Sequence, residues 1–146
     1  MKKTIGGLVL LIALAGLQSF KGKPVQAPKP AAIGKATMDR GKRIYTQRCL
    51  VCHQVDGGGV PHLNAPLDGA SLVQGNDKTK LVRIILKGYS DRVEIDGEYY
   101  SNNMTPLADL NDQQISDVLT YVRNSWSNRA SAITPAEVKA VRAKTK

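Results

Sequence analysis

Phenylalanine is missing from everything after residue 20, where the chain's single Phe stands. Five tyrosines and one tryptophan are the other aromatic residues among 146, a thin stock for a domain core. A core so short of aromatic bulk leaves room for a large flat apolar group supplied from outside the chain. Cysteine is nearly as scarce. Cys49 and Cys52 are the only two, so no disulfide framework can join distant segments. No base-stacking motif and no basic reading helix accompanies the net charge of +9, which makes nucleic acid a poor explanation of it. Nor does a nucleophile, general base or substrate-shaped constellation announce itself. The one long apolar run, Ile5 to Leu17, is shorter than the about 20 residues a helix needs to span a bilayer.

What is there reads from the N-terminus as an export leader. Lys2 and Lys3 precede the apolar run, the layout of a signal peptide. Leu17-Gln18-Ser19 is a weak cleavage match, and Val25-Gln26-Ala27 is followed by Pro28, so a retained anchor over residues 1–20 is the competing expectation. Either way the chain is expected to be exported to the periplasm, free or tethered to the inner membrane. Residues 21–36 carry Pro24, Pro28, Pro30 and three lysines before Lys35, the composition of a linker. The folded domain is expected over 37–128, with a basic helical tail over 129–146.

The four lysines up to Ala27 leave +5 of the net charge to the rest of the chain. Between Asp91 and Asp117 seven acids face Arg92 alone, a local −6, so the remainder is about +11. A charge map this polarised fits the orientation of a protein partner.

The two cysteines stand in Cys49-Leu50-Val51-Cys52-His53, and C-x-x-C-H is the attachment signature of c-type haem. Two thioether bonds to the vinyl groups need sulfurs about one turn apart. The following histidine then lies beneath the ring, where a neutral imidazole suits iron. Three other uses compete. A structural zinc site needs four ligands, and Cys49, Cys52, His53 and His62 would be all there are. A thioredoxin-like pair belongs at a strand-to-helix junction, whereas Asp39 to Gln47 reads as a helix leading into Cys49. A disulfide between the two would close a very short loop and add little.

From Thr37 to Asn128 the chain resembles the class I cytochromes c, a small all-α fold in which N- and C-terminal helices cross over one haem. Gly41 and Tyr45 stand where that family has a small residue and an aromatic ahead of the haem motif, and Tyr121 matches the aromatic of the crossing helix. The resemblance implies covalent haem c and its iron, ligated by His53. It also implies a loop proline whose carbonyl accepts the Nδ1–H of that histidine, matched to Pro66 with Pro61 as rival. The sixth ligand it implies is a methionine ahead of the C-terminal helix, matched to Met104 in Asn102-Asn103-Met104-Thr105-Pro106 although Thr105 intervenes before the proline. His62 is the rival ligand, and would give a lower potential than methionine; Met38 lies at the wrong end of the first helix. The stretch from Leu107 onward is similar to cytochrome modules beside periplasmic sugar or alcohol dehydrogenases and oxidase chains. The function implied is one-electron carriage between a dehydrogenase-type donor and a terminal acceptor, with no catalysis of its own. A subunit dedicated to one dehydrogenase is the alternative, and an open-site haem sensor or peroxidase a further one.

Local signals fill in the remaining elements. Asn76 or Asp77 can cap a short helix with Leu81, Ile84 and Ile85 inward, ending at Gly88. Asp96-Gly97 predicts a hairpin turn between Val93-Glu94-Ile95 and Glu98-Tyr99-Tyr100. Asn111 and Gln114 form a capping-box pair ahead of the stripe Ile115, Val118, Leu119, Val122 and Trp126. Thr134, Pro135 and Glu137 start a last helix, whose basic residues read as a solvated face.

Overall fold

The structure is a computed structural model and describes residues 32–145. The leader and most of the linker lie outside these residues. Helix α1 (Lys35–Arg48) runs into a single turn, α2 (Leu50–His53), and a second single turn, α3 (Ser71–Gln74), follows a long loop. Then come α4 (Lys78–Lys87), the hairpin strands β1 (Val93–Ile95) and β2 (Glu98–Tyr100), α5 (Asp112–Val122) and α6 (Pro135–Ala143).

Helix α1 begins at Lys35, four residues before Asp39. Lys35 and Ala36 are good helix formers, and Lys35 pairs with Asp39 one turn on at 2.6 Å. Helix α1 crosses α5 at Gly41. A Cβ there would collide with the carbonyl oxygen of Asp117 and sit 2.5 Å from Cβ of Tyr121, so hydrogen is the side chain the crossing tolerates. Arg40 locks the same crossing with a two-pronged bond to Asp117, Nε to Oδ2 at 2.6 Å and Nη2 to Oδ1 at 2.9 Å.

Helix α5 starts with the full capping box of Asn111 and Gln114 and buries Ile115, Val118, Leu119 and Val122. Each such aliphatic side chain is worth about 1.5–3 kcal/mol against exposure. Trp126 does not continue that stripe. The helix is capped at Arg123, and Trp126 sits beyond it at φ +54°. Its ring turns back onto Tyr45 and Tyr121, with centroids 5.4 and 6.0 Å away, while Nε1 donates to the carbonyl of Val55.

Helix α4 is capped by Asp77, whose Oδ1 accepts from Lys80 N–H. Leu81, Val82, Ile85 and Leu86 are buried, and Ile84 is half-buried. Gly88, at φ +71°, ends the helix where a Cβ would strike the carbonyl of Met104. The hairpin pairs Val93 with Tyr100 and Ile95 with Glu98, and Asp96 and Gly97 both take positive φ, as a type I′ turn requires.

Helix α6 opens on the capping box of Thr134 and Glu137 with Pro135 in its first turn. It is more than a solvated face: Val138 and Val141, with Ile133 before them, are buried against α4 and α5. The acidic stretch is also redistributed by folding. Asp109, Asp112 and Asp117 pair with Arg48, Arg142 and Arg40, which leaves the hairpin, with Asp91, Glu94, Asp96 and Glu98, as the acidic end. No helix among the described residues is long and apolar enough to cross a membrane.

Candidate haem cleft

Helix α1 delivers Cys49 as its last capping residue, its N–H bonded to the carbonyl of Tyr45. The chain turns once more through α2, with Cys52 and His53 N–H both reaching back to Cys49 O. Gln54, at φ +62°, stops the turn, and the hydroxyl of Tyr45 donates to its carbonyl. The two cysteines are not joined in a disulfide; Cys49 is buried and Cys52 exposed. Burial pushes the Cys49 thiol up to about 11, with the Arg48 charge opposing it. The motif follows helix α1 rather than a strand, which is not the strand-to-helix junction of a thioredoxin-like pair.

His53 is partly buried, and burial holds its imidazole below the ordinary histidine range, against a hydrogen bond that raises it. That bond runs from Nδ1 to the carbonyl of Ala65 at 2.9 Å. A carbonyl can only accept, so Nδ1 carries the hydrogen and Nε2 keeps its lone pair for a metal. The acceptor expected from the sequence was the carbonyl of Pro66; the structure places it one residue earlier, on the amide that joins Ala65 to Pro66. The reason lies in the loop. Gly59, at φ +67°, allows the backbone of Asn64 and Ala65 to approach so closely that a Cβ would collide with Asn64 O and lie 2.7 Å from Ala65 O. Pro66 itself lines the cleft.

The cleft measures about 230 Å³ and its wall is mostly hydrocarbon, from residues such as Leu67, Ile84, Ile85 and Leu119. Cys49, Cys52, His53 and Met104 line it together. Met104 arrives on the segment after β2, held to Tyr89 by a two-way backbone bridge of 2.8 and 3.0 Å. His62 and Pro61 are not part of the lining. His62 is exposed on the surface at φ +61°, its ring 3.6 Å from Glu98. The donor set is thus two thiols, one imidazole nitrogen and one thioether on an apolar cleft, which is chemistry suited to a covalently attached metalloporphyrin.

Sequence reasoning missed five residues here. Ala65 and Gly59 set the histidine, and only the run Gly57-Gly58-Gly59 hinted at a close backbone approach. Asn64 and Asn102 tie the two loops together by a side-chain bond of 2.6 Å. Arg123 also lines the cleft although it is a charged residue only 1% exposed. Nothing in its spacing distinguished it from a surface arginine.

The cytochrome c family model matches residues 38–126. The cytochrome c-552 of Thermus thermophilus is 32% identical over 112 residues, covering 71% of this chain and 85% of that protein. The cytochrome c subunit of the quinone alcohol dehydrogenase of Gluconacetobacter polyoxogenes is 33% identical over 120 residues, 76% of this chain but 24% of the subunit. The gluconate 2-dehydrogenase cytochrome c subunit of Pantoea cypripedii is 34% identical over 102 residues, 66% of this chain and 22% of the subunit. The chain therefore spans about a quarter of the length of the dehydrogenase subunits it matches. With the helical architecture, the cleft and these likenesses in agreement, the chain belongs to the cytochrome c family, which binds haem c and its iron covalently.

Proposed function

We propose that this chain is an exported, periplasmic one-electron carrier in which Cys49 and Cys52 hold the haem through thioethers and His53 and Met104 are the axial ligands. The observation that carries it is the hydrogen bond from His53 Nδ1 to Ala65 O, which presents a free Nε2 to the cleft that Cys49, Cys52 and Met104 also line. The residues fit the group: two cysteines three residues apart that are not paired with each other, a nitrogen with its lone pair available, and hydrocarbon walls. When bound, haem supplies the one-electron couple of its iron. The chain's own residues bind and orient the group, keep water from its faces, and tune it. Methionine ligation favours a higher potential than a second histidine would, and the exposed position of His62 speaks for Met104. Export rests on Lys2, Lys3 and the run Ile5 to Leu17.

The test is the visible spectrum of the protein made with haem-maturation machinery, oxidised and reduced. A weak band near the red edge in the oxidised form reports iron–methionine sulfur bonding. Its presence in wild type and its loss in Met104→Ala are expected. Its absence from wild type, or carbon monoxide binding to the reduced wild-type protein, would favour another ligand set or an open-site sensor.

The donor is read as a dehydrogenase and the acceptor as an oxidase or another cytochrome. A second reading, a subunit dedicated to one sugar or alcohol dehydrogenase and tethered by its leader, is favoured by the names of the relatives from Gluconacetobacter and Pantoea. Co-purification with a single dehydrogenase supports the subunit. Equal reduction by several donors supports the free carrier.

A further inference from the structure

We propose that Arg123 is a built-in positive charge that raises the reduction potential of the haem, through its field and independently of which residue is the sixth ligand. The inference rests on the family's cofactor lying in the cleft that Arg123 lines.

Arg123 follows Val122, the last residue of the buried stripe of α5, and is itself 1% exposed. Its guanidinium is satisfied by neutral acceptors. Nη1 donates to the carbonyls of Val73 and Gly75, Nε to the carbonyl of Ser131 at 2.9 Å, and Nη2 to the hydroxyl of Ser131 at 3.3 Å. Among the described residues no carboxylate lies within ion-pair distance of it. Glu137 is the acid whose field reaches it, and the ion pair of Glu137 is with Lys78 at 2.9 Å. The side chain is therefore solvated by dipoles but not neutralised, and burial makes its charge harder to hold.

A guanidinium keeps its proton under any ordinary condition, so the charge stays. In a poorly screened interior its field reaches further than in water. A reduced haem carries one more electron than an oxidised one, and a nearby fixed cation stabilises the electron-rich state. The sign of the effect follows from this alone: the charge favours reduction. The carbonyls of Val73, Gly75 and Ser131 point their negative ends at the cation and weaken the field without cancelling a full charge.

The test uses the full-length haem protein in three forms: wild type, Arg123→Met and Arg123→Lys. Midpoint potentials come from redox titration, with thermal unfolding and visible spectra recorded alongside. Both variants lose hydrogen bonds and are expected to melt earlier. The potential is expected to fall clearly in Arg123→Met and to stay nearer wild type in Arg123→Lys, with unchanged ligation spectra. Equal shifts in the two variants, or an unchanged potential in Arg123→Met, would overturn the proposal and leave Arg123 a structural staple. If Arg123→Met does not fold, the lysine variant carries the test. Its buried ammonium sheds a proton as pH rises, so its potential should fall with pH beyond the wild-type trend. Parallel trends would sink the idea.

Discussion

The side-chain amide of Asn102 donates to the side-chain oxygen of Asn64 at 2.6 Å, and so joins the loop that carries Met104 to the loop whose next residue, Ala65, orients His53. Backbone bonds run along the same seam, from Asn102 N–H to Leu63 O at 2.9 Å and from Ser101 N–H to His62 O at 3.3 Å. The two proposed axial ligands are thus set by loops that hold each other. A seam of this kind lies at the surface, so each bond is worth only about 1 kcal/mol net.

On the proposed ligation, Asn102→Ala should loosen the Met104 loop without unfolding the domain. Added imidazole is expected to displace the methionine roughly fivefold more readily than in wild type, the equivalent of about 1 kcal/mol. Loss of the red-edge band during an imidazole titration measures it. Wild-type imidazole affinity in both Asn102→Ala and Asn64→Ala would show that the seam does not restrain the loop.

Gly41→Ala sets two effects against each other. Alanine favours an exposed helix interior by up to about 1 kcal/mol over glycine. Here its methyl would meet the carbonyl of Asp117, which is backbone and has no side-chain rotamer to yield. Overpacking of about 1–3 kcal/mol should therefore prevail, with a lower midpoint in guanidinium unfolding. A variant as stable as wild type would mean that α1 and α5 can slide apart freely.

Thr134→Ala tests whether α6 belongs to the cooperative unit. Its hydroxyl accepts from Glu137 N–H, and the Glu137 carboxylate answers the Thr134 N–H. Losing the cap should cost about 1 kcal/mol in the unfolding of the whole domain, because Val138 and Val141 are part of the shared core. If the main transition were unmoved, α6 would be fraying separately from it.

Acid should destabilise the fold. The Ser127 hydroxyl and N–H both donate to Asp68 and hold its carboxyl below the usual range. The Arg48 guanidinium does the same for Asp109. A carboxylate whose folded pKa is depressed contributes stability above its unfolded pKa, near 4, and loses it as pH falls through the folded value. The melting temperature is expected to decline below about pH 4, with a shallower decline in Asp68→Asn. These groups are exposed and screened, so the difference between the two curves will be small. Identical curves would remove Asp68 from the account.

Much of this molecule is written in short-range spacing. The pair Cys49 and Cys52 with His53 directly after it, the caps at Asn111 and Thr134, and the Asp96-Gly97 turn all depend on residues within four positions of one another. Torsional preferences and helical periodicity act over that range, so the sequence displays them openly. Where spacing was extended further, it failed. Trp126 fits the stripe of α5 by periodicity alone, but α5 stops at Val122 and the ring packs across to Tyr45.

What the sequence by itself determined is the local detail: the helix leading into Cys49, the caps at Asn111 and Thr134, and the Asp96-Gly97 turn. Only the tertiary structure decided that Ala65 rather than Pro66 receives the histidine's hydrogen bond, because which loop carbonyl faces the imidazole depends on how the loop closes, with its backbone packed against Gly59. It also decided which charges matter. Asp117 is cancelled by Arg40 and Asp109 by Arg48, partners 77 and 61 residues away in the chain, whereas Arg123 is buried with carbonyls drawn from two other segments. Charge in a sequence is a sum along a line; the field at a cofactor depends on distance and burial, which exist only after the chain has closed on itself.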